Sequence, residues 1–74
     1  MGFCYQRLRD LREDGGRVIK QQELATLLGT TQQTYSLWEL GVREIPFHHV
    51  ITLAKFYNVS IDYIAGLTNQ KRTK

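Results

Sequence analysis

The chain has 74 residues, of which 42% are hydrophobic and 23% are charged. This length allows one small core and excludes a deep cofactor cleft, and the composition is neither that of a disordered chain nor that of a membrane span. Ten Lys and Arg residues against seven Asp and Glu residues give a net charge of +3, a mild excess that is compatible with nucleic acid without establishing it.

Five helices are predicted along the chain, at about 2–13, 21–28, 32–40, 46–57 and 61–66, because apolar residues recur at spacings of three and four. Gly or Asn follows each stripe, as at many helix C-termini. Thr31 and Ser60 are placed as N-caps, and Pro46 suits a first helical turn. The predicted stripes are Cys4, Leu8, Leu11; Leu24, Leu27, Leu28; Tyr35, Trp38, Leu40; Val50, Leu53, Ala54, Tyr57; and Ile61, Ile64, Ala65. The chain after Leu67 is polar and basic and is expected to fray.

Metal and cofactor sites are not expected. Cys4 is the single cysteine, so it cannot form an internal disulfide or a zinc cluster, and its stripe favours a buried side chain over a reactive thiol. His48 and His49 are adjacent and would point about 100° apart on a helix, with no carboxylate or thiolate nearby. No apolar run of about 18 residues and no secretory signal is visible, which predicts a cytoplasmic protein.

The segment from Gln21 to Gly41 carries the strongest signal. The second helix ends at Gly29 and the third begins two or three residues later, so the two helices must cross steeply, as in a helix-turn-helix. Ala25 supplies the small side chain that such a crossing needs. Helical spacing favours core packing for the aromatic residues of the third helix over a stacking platform for single strands. The residues expected to be exposed on the third helix are Gln32, Gln33, Ser36 and Leu37.

Two adjacent glutamines at a helix N-terminus have two interpretations. They can form part of a solvated face, or they can read bases, because Gln bonds bidentately to adenine N6 and N7 in the major groove. The first turn of a recognition helix is the part that reaches base edges. Taken alone, the two glutamines support both interpretations equally.

The segment resembles the helix-turn-helix domain of the lambdoid phage repressor and Cro group, also called the XRE family. The family pattern Q-x-x-L-A-x-x-L-G matches Gln21 to Gly29, and [VT]-[ST]-x-x-T-[IVY]-S-x-W-E-x-G matches Thr30 to Gly41. The resemblance extends over about residues 5–67. It implies an all-α fold, a compact five-helix bundle of the lambda-repressor-like type, with a DNA-binding domain over 1–67 and a basic, flexible tail over 68–74.

The resemblance also implies roles for individual residues. Base edges would be read by Gln32, Gln33, Ser36 and Leu37. Phosphates would be contacted by Gln21, Lys20, Thr31, Arg43 and Arg17, the last from a loop over 14–19 that is longer than usual. Arg12 and Glu39 would form a partly buried ion pair between the first and third helices. Lys20 stands where the family commonly has a Ser, Thr or Asn cap, which predicts a weaker start for the second helix.

Leu37 stands where the family usually has a polar residue. It can pack on a thymine methyl group or simply remain exposed, and we expect the methyl contact.

The implied function is sequence-specific binding of double-stranded DNA by a transcriptional regulator, a bacterial or phage repressor. It would act as a homodimer on a pseudo-palindromic operator with half-sites about one helical turn apart. The predicted dimer seam comprises Phe56, Tyr63, Ile64 and Leu67. The alternative is a protein-interaction module, such as an antitoxin or antirepressor component, that uses Phe47, Phe56 and the segment 63–67. No catalytic set can be assembled from these residues, so an enzyme is not expected.

Overall fold

A computed structural model of the chain describes residues 5–14 and 18–71, and within these ranges it contains five helices and no strand. They are α1 (Tyr5–Glu13), α2 (Gln21–Leu28), α3 (Gln32–Leu40), α4 (Phe47–Tyr57) and α5 (Ile61–Ala65). The predicted all-α, five-helix fold is therefore confirmed. The predictions for Cys4, Arg17 and residues 72–74 lie outside the described residues.

Helices α2 to α5 each end at a residue in the left-handed conformation. These residues are Gly29, Gly41, Asn58 and Gly66, with φ of 72°, 76°, 57° and 81°. Glycine and asparagine enter this region at the lowest steric cost, and the turn they make lets a backbone N–H bond to carbonyl groups of the last helical turn. The stops predicted from the sequence are confirmed at these four positions.

Helices α3 and α5 begin at side-chain caps. The Thr31 hydroxyl accepts a hydrogen bond from the Thr34 N–H at 3.2 Å, and the Ser60 hydroxyl accepts one from the Tyr63 N–H at 3.0 Å. Each bond satisfies an amide that has no partner inside its own helix, which is worth about 1 kcal/mol. Both predicted caps are confirmed.

Helices α2 and α4 begin differently. The backbone N–H of Lys20 donates to the Glu23 carboxylate at 3.4 Å, and the Glu23 N–H donates to the Lys20 carbonyl at 3.0 Å. Glu23 thus supports a start that lacks a Ser or Thr cap. Pro46 lies one residue before α4 instead of inside its first turn, and its carbonyl accepts the N–H of His49 at 3.0 Å.

The core lies where α3 packs against α1 and α2 while α5 packs against α1 and α4. Tyr35 is fully buried and Trp38 is 6% exposed, with their rings in edge-to-face contact at 6.2 Å. These two side chains therefore form core and not a stacking platform. The buried hydrophobic residues are Leu8, Leu11, Leu24, Ala25, Leu28, Tyr35, Trp38, Ile45, Val50, Leu53, Ala54 and Ile64.

Two core predictions and one seam prediction need correction, and one core residue was not predicted. Leu40 is 67% exposed because it lies two residues beyond Trp38, about 200° around the helix. Leu27 is 45% exposed, at the margin of its stripe. Ile64 is fully buried, so it cannot form part of a dimer seam. Ile45 is buried although it lies between α3 and α4, where helical spacing gives no signal.

The chain after α5 folds back onto the bundle. Arg7 reaches out from α1 and donates to the Thr68 carbonyl at 3.1 Å and to the Asn69 side-chain oxygen at 2.9 Å. The Ser60 N–H donates to the Lys71 carbonyl at 2.6 Å. Residues 68–71 therefore do not form the frayed tail that the sequence predicted. Hydrogen bonds to distant parts of the chain fix them, and local sequence patterns do not reveal such bonds.

Candidate nucleic-acid interface

The turn between α2 and α3 fixes how α3 is presented. Only Gly29, Thr30 and Thr31 separate the two helices, and the Thr30 N–H donates back to the Ala25 carbonyl at 2.8 Å. Ala25 itself is fully buried, as a steep and close helix crossing requires. The first turn of α3 is therefore held rigidly at the surface, which is the arrangement of a recognition helix.

One surface depression joins the residues predicted to read bases. It is lined by Gln21 from the start of α2 and by Gln32, Gln33, Ser36 and Leu37 from α3; we call it the α3 groove. Gln32 and Gln33 are exposed, whereas Ser36 and Leu37 are half-buried. The structure thus brings all four predicted base-reading residues together on one face of α3.

The chemistry of the α3 groove is uncharged. Its amides can donate and accept, its hydroxyl can do both, and its leucine offers an apolar contact. Base edges in the major groove present the same mixture of donors, acceptors and a thymine methyl group. The α3 residues of this groove therefore suit base edges better than phosphates, which require donors alone.

A buried ion pair lies behind the α3 groove. Arg12 Nε is 2.7 Å from Glu39 Oε2 and Arg12 Nη2 is 3.1 Å from Glu39 Oε1, and the two side chains are 10% and 4% exposed. The hydrogen bond to Glu39 raises the pKa of Arg12 against the opposing effect of burial. Arg12 Nη1 also donates to the Ile19 carbonyl at 3.1 Å. The resemblance implied this pair, and the geometry is bidentate.

Gln21 contacts this ion pair, a contact that the sequence did not predict. Its side-chain nitrogen donates to Glu39 Oε1 at 3.0 Å. The two residues lie 18 positions apart, and no periodicity connects them, because the contact depends on how α2 crosses α3. The Gln21 side chain, which is predicted to contact a phosphate, is therefore already hydrogen-bonded to Glu39.

Of the predicted phosphate contacts that the structure describes, Gln21 lines the α3 groove, whereas Lys20, Thr31 and Arg43 do not. Lys20 and Thr31 are exposed and each precedes a groove residue in the chain, whereas Arg43 is exposed beyond the far end of α3. Lys20 and Arg43, the two cationic residues of this set, thus lie outside the uncharged groove, where they could position the domain without reading sequence.

The two histidine rings lie close together, tilted by 46° to each other, instead of pointing apart. Their rings are 4.0 Å apart, and the ring of His49 lies 5.2 Å from that of Trp38. Burial, followed by the proximity of His48, lowers the pKa of His49.

Within residues 5–14 and 18–71, no three His, Cys, Asp or Glu side chains are grouped to hold a metal ion. In the same ranges, no helix has the length and apolar character needed to cross a membrane.

Comparison with known proteins identifies the class. A family model described as helix-turn-helix matches residues 8–64, the part of the chain that holds α2, α3 and their packing partners. Together, the fold and this match define a helix-turn-helix domain of the Cro/C1 type. The chain belongs to the helix-turn-helix family, a family of DNA-binding transcriptional regulators.

Two relatives come from Bacillus subtilis. The uncharacterized HTH-type transcriptional regulator YobD is 35% identical over 72 residues, which cover 97% of this chain and 62% of the relative. The uncharacterized HTH-type transcriptional regulator YqaE is 37% identical over 54 residues, which cover 72% of this chain and 47% of the relative. The chain thus spans about half to three fifths of the length of these relatives. No solved structure matches it significantly.

Proposed function

We propose that the protein is a transcriptional regulator, a repressor, that binds double-stranded DNA sequence-specifically and reads the major groove with α3. One observation carries this proposal: the four side chains suited to base edges share a single depression at the start of α3. The family match and the regulator names of the two relatives support the same class of function.

Each residue has a proposed part in binding. Gln32 and Gln33 read adenine, Ser36 bonds a base edge, and Leu37 packs on a thymine methyl group. Lys20, Thr31, Arg43, Arg17 and Gln21 contact phosphates and set the register of the domain on the duplex. The mild net charge of +3 limits sequence-independent affinity, so much of the binding free energy must come from the correct bases.

One α3 groove reads one half-site, so we propose a homodimer on a pseudo-palindromic operator, with half-sites about one helical turn apart. The seam we propose contains Phe56 and Leu67, which are 49% and 58% exposed. Tyr63, also proposed for the seam, already packs against the Arg7 guanidinium, which lies 4.1 Å from its ring centroid. We further propose a cytoplasmic protein that acts by binding and not by catalysis.

The proposal is tested by fluorescence anisotropy on a duplex selected from a random pool, with a random duplex as reference, over a range of salt concentrations. Gln32→Ala should lose about 1–3 kcal/mol on the selected duplex and little on the random one. Arg43→Ala should weaken both alike and reduce the salt slope by about 1. Gln22→Ala, a neighbouring exposed amide on α2, is the matched control. Binding that shows no preference for any duplex would contradict the proposal.

The second candidate function is the protein-interaction module. Exposed apolar side chains near the end of α3 and the start of α4 favour it: Leu40, Val42 and Phe47 are 64–68% exposed, more than a surface used only for DNA requires. The same salt titration separates the two candidates, because a flat salt response would exclude phosphate contacts and support this second function.

A further inference from the structure

We infer that Glu39 is a positioning residue for DNA binding, because it holds the side-chain amide of Gln21 in the orientation that a phosphate requires. This inference rests on the proposed function and assigns a part in it to a residue that lies behind the α3 groove. It starts from the hydrogen bond between Gln21 Nε2 and Glu39 Oε1 at 3.0 Å.

The chemistry of the two groups fixes the orientation of the amide. An ionised carboxylate has no hydrogen to donate, so Gln21 must present its NH2 group, and not its carbonyl, to Glu39. One N–H of that group is used, and the other remains for the α3 groove that Gln21 lines. A phosphate oxygen also accepts only, so it takes this second N–H. If the amide were rotated by 180°, its carbonyl oxygen would face the phosphate, and two acceptors would repel each other.

Arg12 makes this arrangement compatible with an anionic ligand. Glu39 is only 4% exposed, and its negative charge close to a phosphate would oppose binding if it stood alone. The bidentate guanidinium of Arg12 compensates that charge at 2.7 and 3.1 Å, and the Ile19 carbonyl accepts a further Arg12 N–H. The ion pair therefore acts as a rigid neutral support for Gln21, in addition to joining α1 to α3.

A double-mutant cycle in DNA affinity tests the inference. The pair is replaced by R12M/E39M, which removes one positive and one negative charge and leaves the net charge unchanged at +3, so sequence-independent electrostatics are preserved. Replacing a buried pair by apolar residues of similar size commonly keeps the fold, which far-ultraviolet circular dichroism verifies. Each form is then combined with Gln21→Ala, and affinity for the selected duplex is measured by anisotropy.

With Gln21 present, R12M/E39M should weaken binding about threefold to tenfold, whereas with Gln21→Ala it should change binding by less than about 1.5-fold. E39Q is the second variant, in case the double replacement does not fold. Its side-chain NH2 group replaces one of the two carboxylate oxygens that accept from Arg12 and Gln21. This group can donate to the Gln21 carbonyl and so permit the opposite amide orientation, so the same coupling is expected. Because E39Q raises the net charge by one, its effect is taken as the difference between the two Gln21 backgrounds. Gln22→Ala, whose amide contacts Thr26 and not Glu39, should show no coupling to the pair.

The side-chain amide resonances give an independent readout. In nitrogen-correlated NMR spectra of the free protein, the Gln21 NH2 signals should move in R12M/E39M or E39Q, while those of Gln22 stay in place. Equal weakening in both Gln21 backgrounds, or unmoved Gln21 signals, would overturn the inference and leave the proposed function intact. Failure of the wild-type protein to bind any duplex would overturn both.

Discussion

Replacing Arg12 with methionine should be the most damaging single substitution at the ion pair. The Glu39 carboxylate is 4% exposed and would keep the neutral Gln21 amide as a donor but lose the guanidinium, so a charge would remain buried and uncompensated. The expected cost is about 3–5 kcal/mol, a large part of the about 5–15 kcal/mol that stabilises a small domain. At about 4 °C or more per kcal/mol, the midpoint of thermal unfolding should fall by about 12 °C or more.

Replacing Glu39 with methionine should cost less stability than replacing Arg12. In Glu39→Met, Arg12 keeps the Ile19 carbonyl at 3.1 Å and Glu13 at 3.7 Å, and its long side chain can move its charge toward water. The double variant R12M/E39M leaves no charge stranded and should lie within about 1 kcal/mol of the wild type. The predicted order of stability is therefore R12M lowest, then E39M, then R12M/E39M.

Urea unfolding followed by Trp38 fluorescence measures this order, because Trp38 is 6% exposed in the folded state and becomes hydrated on unfolding. Circular dichroism on the same samples checks that the transition is two-state. If R12M cost less than about 1 kcal/mol, the charge of Glu39 would be hydrated despite its burial. If the double variant were as unstable as R12M, the loss would come from packing and not from charge.

Three further predictions concern other parts of the bundle. Burial lowers the pKa of His49, so the unfolded chain binds a proton more readily, and stability should fall as the pH drops below about 6.5; His49→Gln should remove this loss, whereas the loss should persist in His48→Gln. Arg7→Ala should cost about 2 kcal/mol in urea unfolding because three hydrogen bonds and a ring contact are lost, against less than about 0.5 kcal/mol for the exposed Arg9→Ala. Gly29→Ala should cost about 1 kcal/mol of stability through its φ of 72° alone, since an added Cβ meets nothing within 4 Å.

Each of these has a result that would contradict it. A stability that rises on acidification below pH 6.5 would mean that His49 is protonated in the folded state. Equal effects of Arg7→Ala and Arg9→Ala would mean that residues 68–71 do not hold to α1 in solution. A loss at Gly29 much above about 2 kcal/mol would point to a steric conflict that the turn geometry does not contain.

The helices could be predicted from the sequence because their signals are local. A threonine at position 31 and glycines at 29 and 41 act within one turn of chain, so the bounds of α3 follow from propensity and capping alone. Exposure near helix ends was harder to predict. Leu40 is apolar but lies two positions after Trp38, on nearly the opposite side of α3, and it is 67% exposed.

In the candidate site too, features that depend on one helix could be predicted from local spacing, and contacts between helices could not. The grouping of the residues proposed to read bases could be predicted because Gln32, Gln33, Ser36 and Leu37 share one helical face. The contact between Gln21 and Glu39 could not, since it depends on the crossing of α2 and α3 and on the hydrogen-bonding capacity left over by Arg12. Contacts of this kind join side chains that are distant in the chain, and no spacing rule encodes them.

The most direct test of the central claim is to select duplexes from a random pool in parallel with the wild-type protein and with Gln33→Ala, at one salt concentration. If α3 reads bases, the wild type should enrich a two-fold symmetric motif, and Gln33→Ala should lose preference at the symmetry-related A·T pairs while retaining the remaining positions. An identical motif from both proteins, or no motif from the wild type, would contradict the claim.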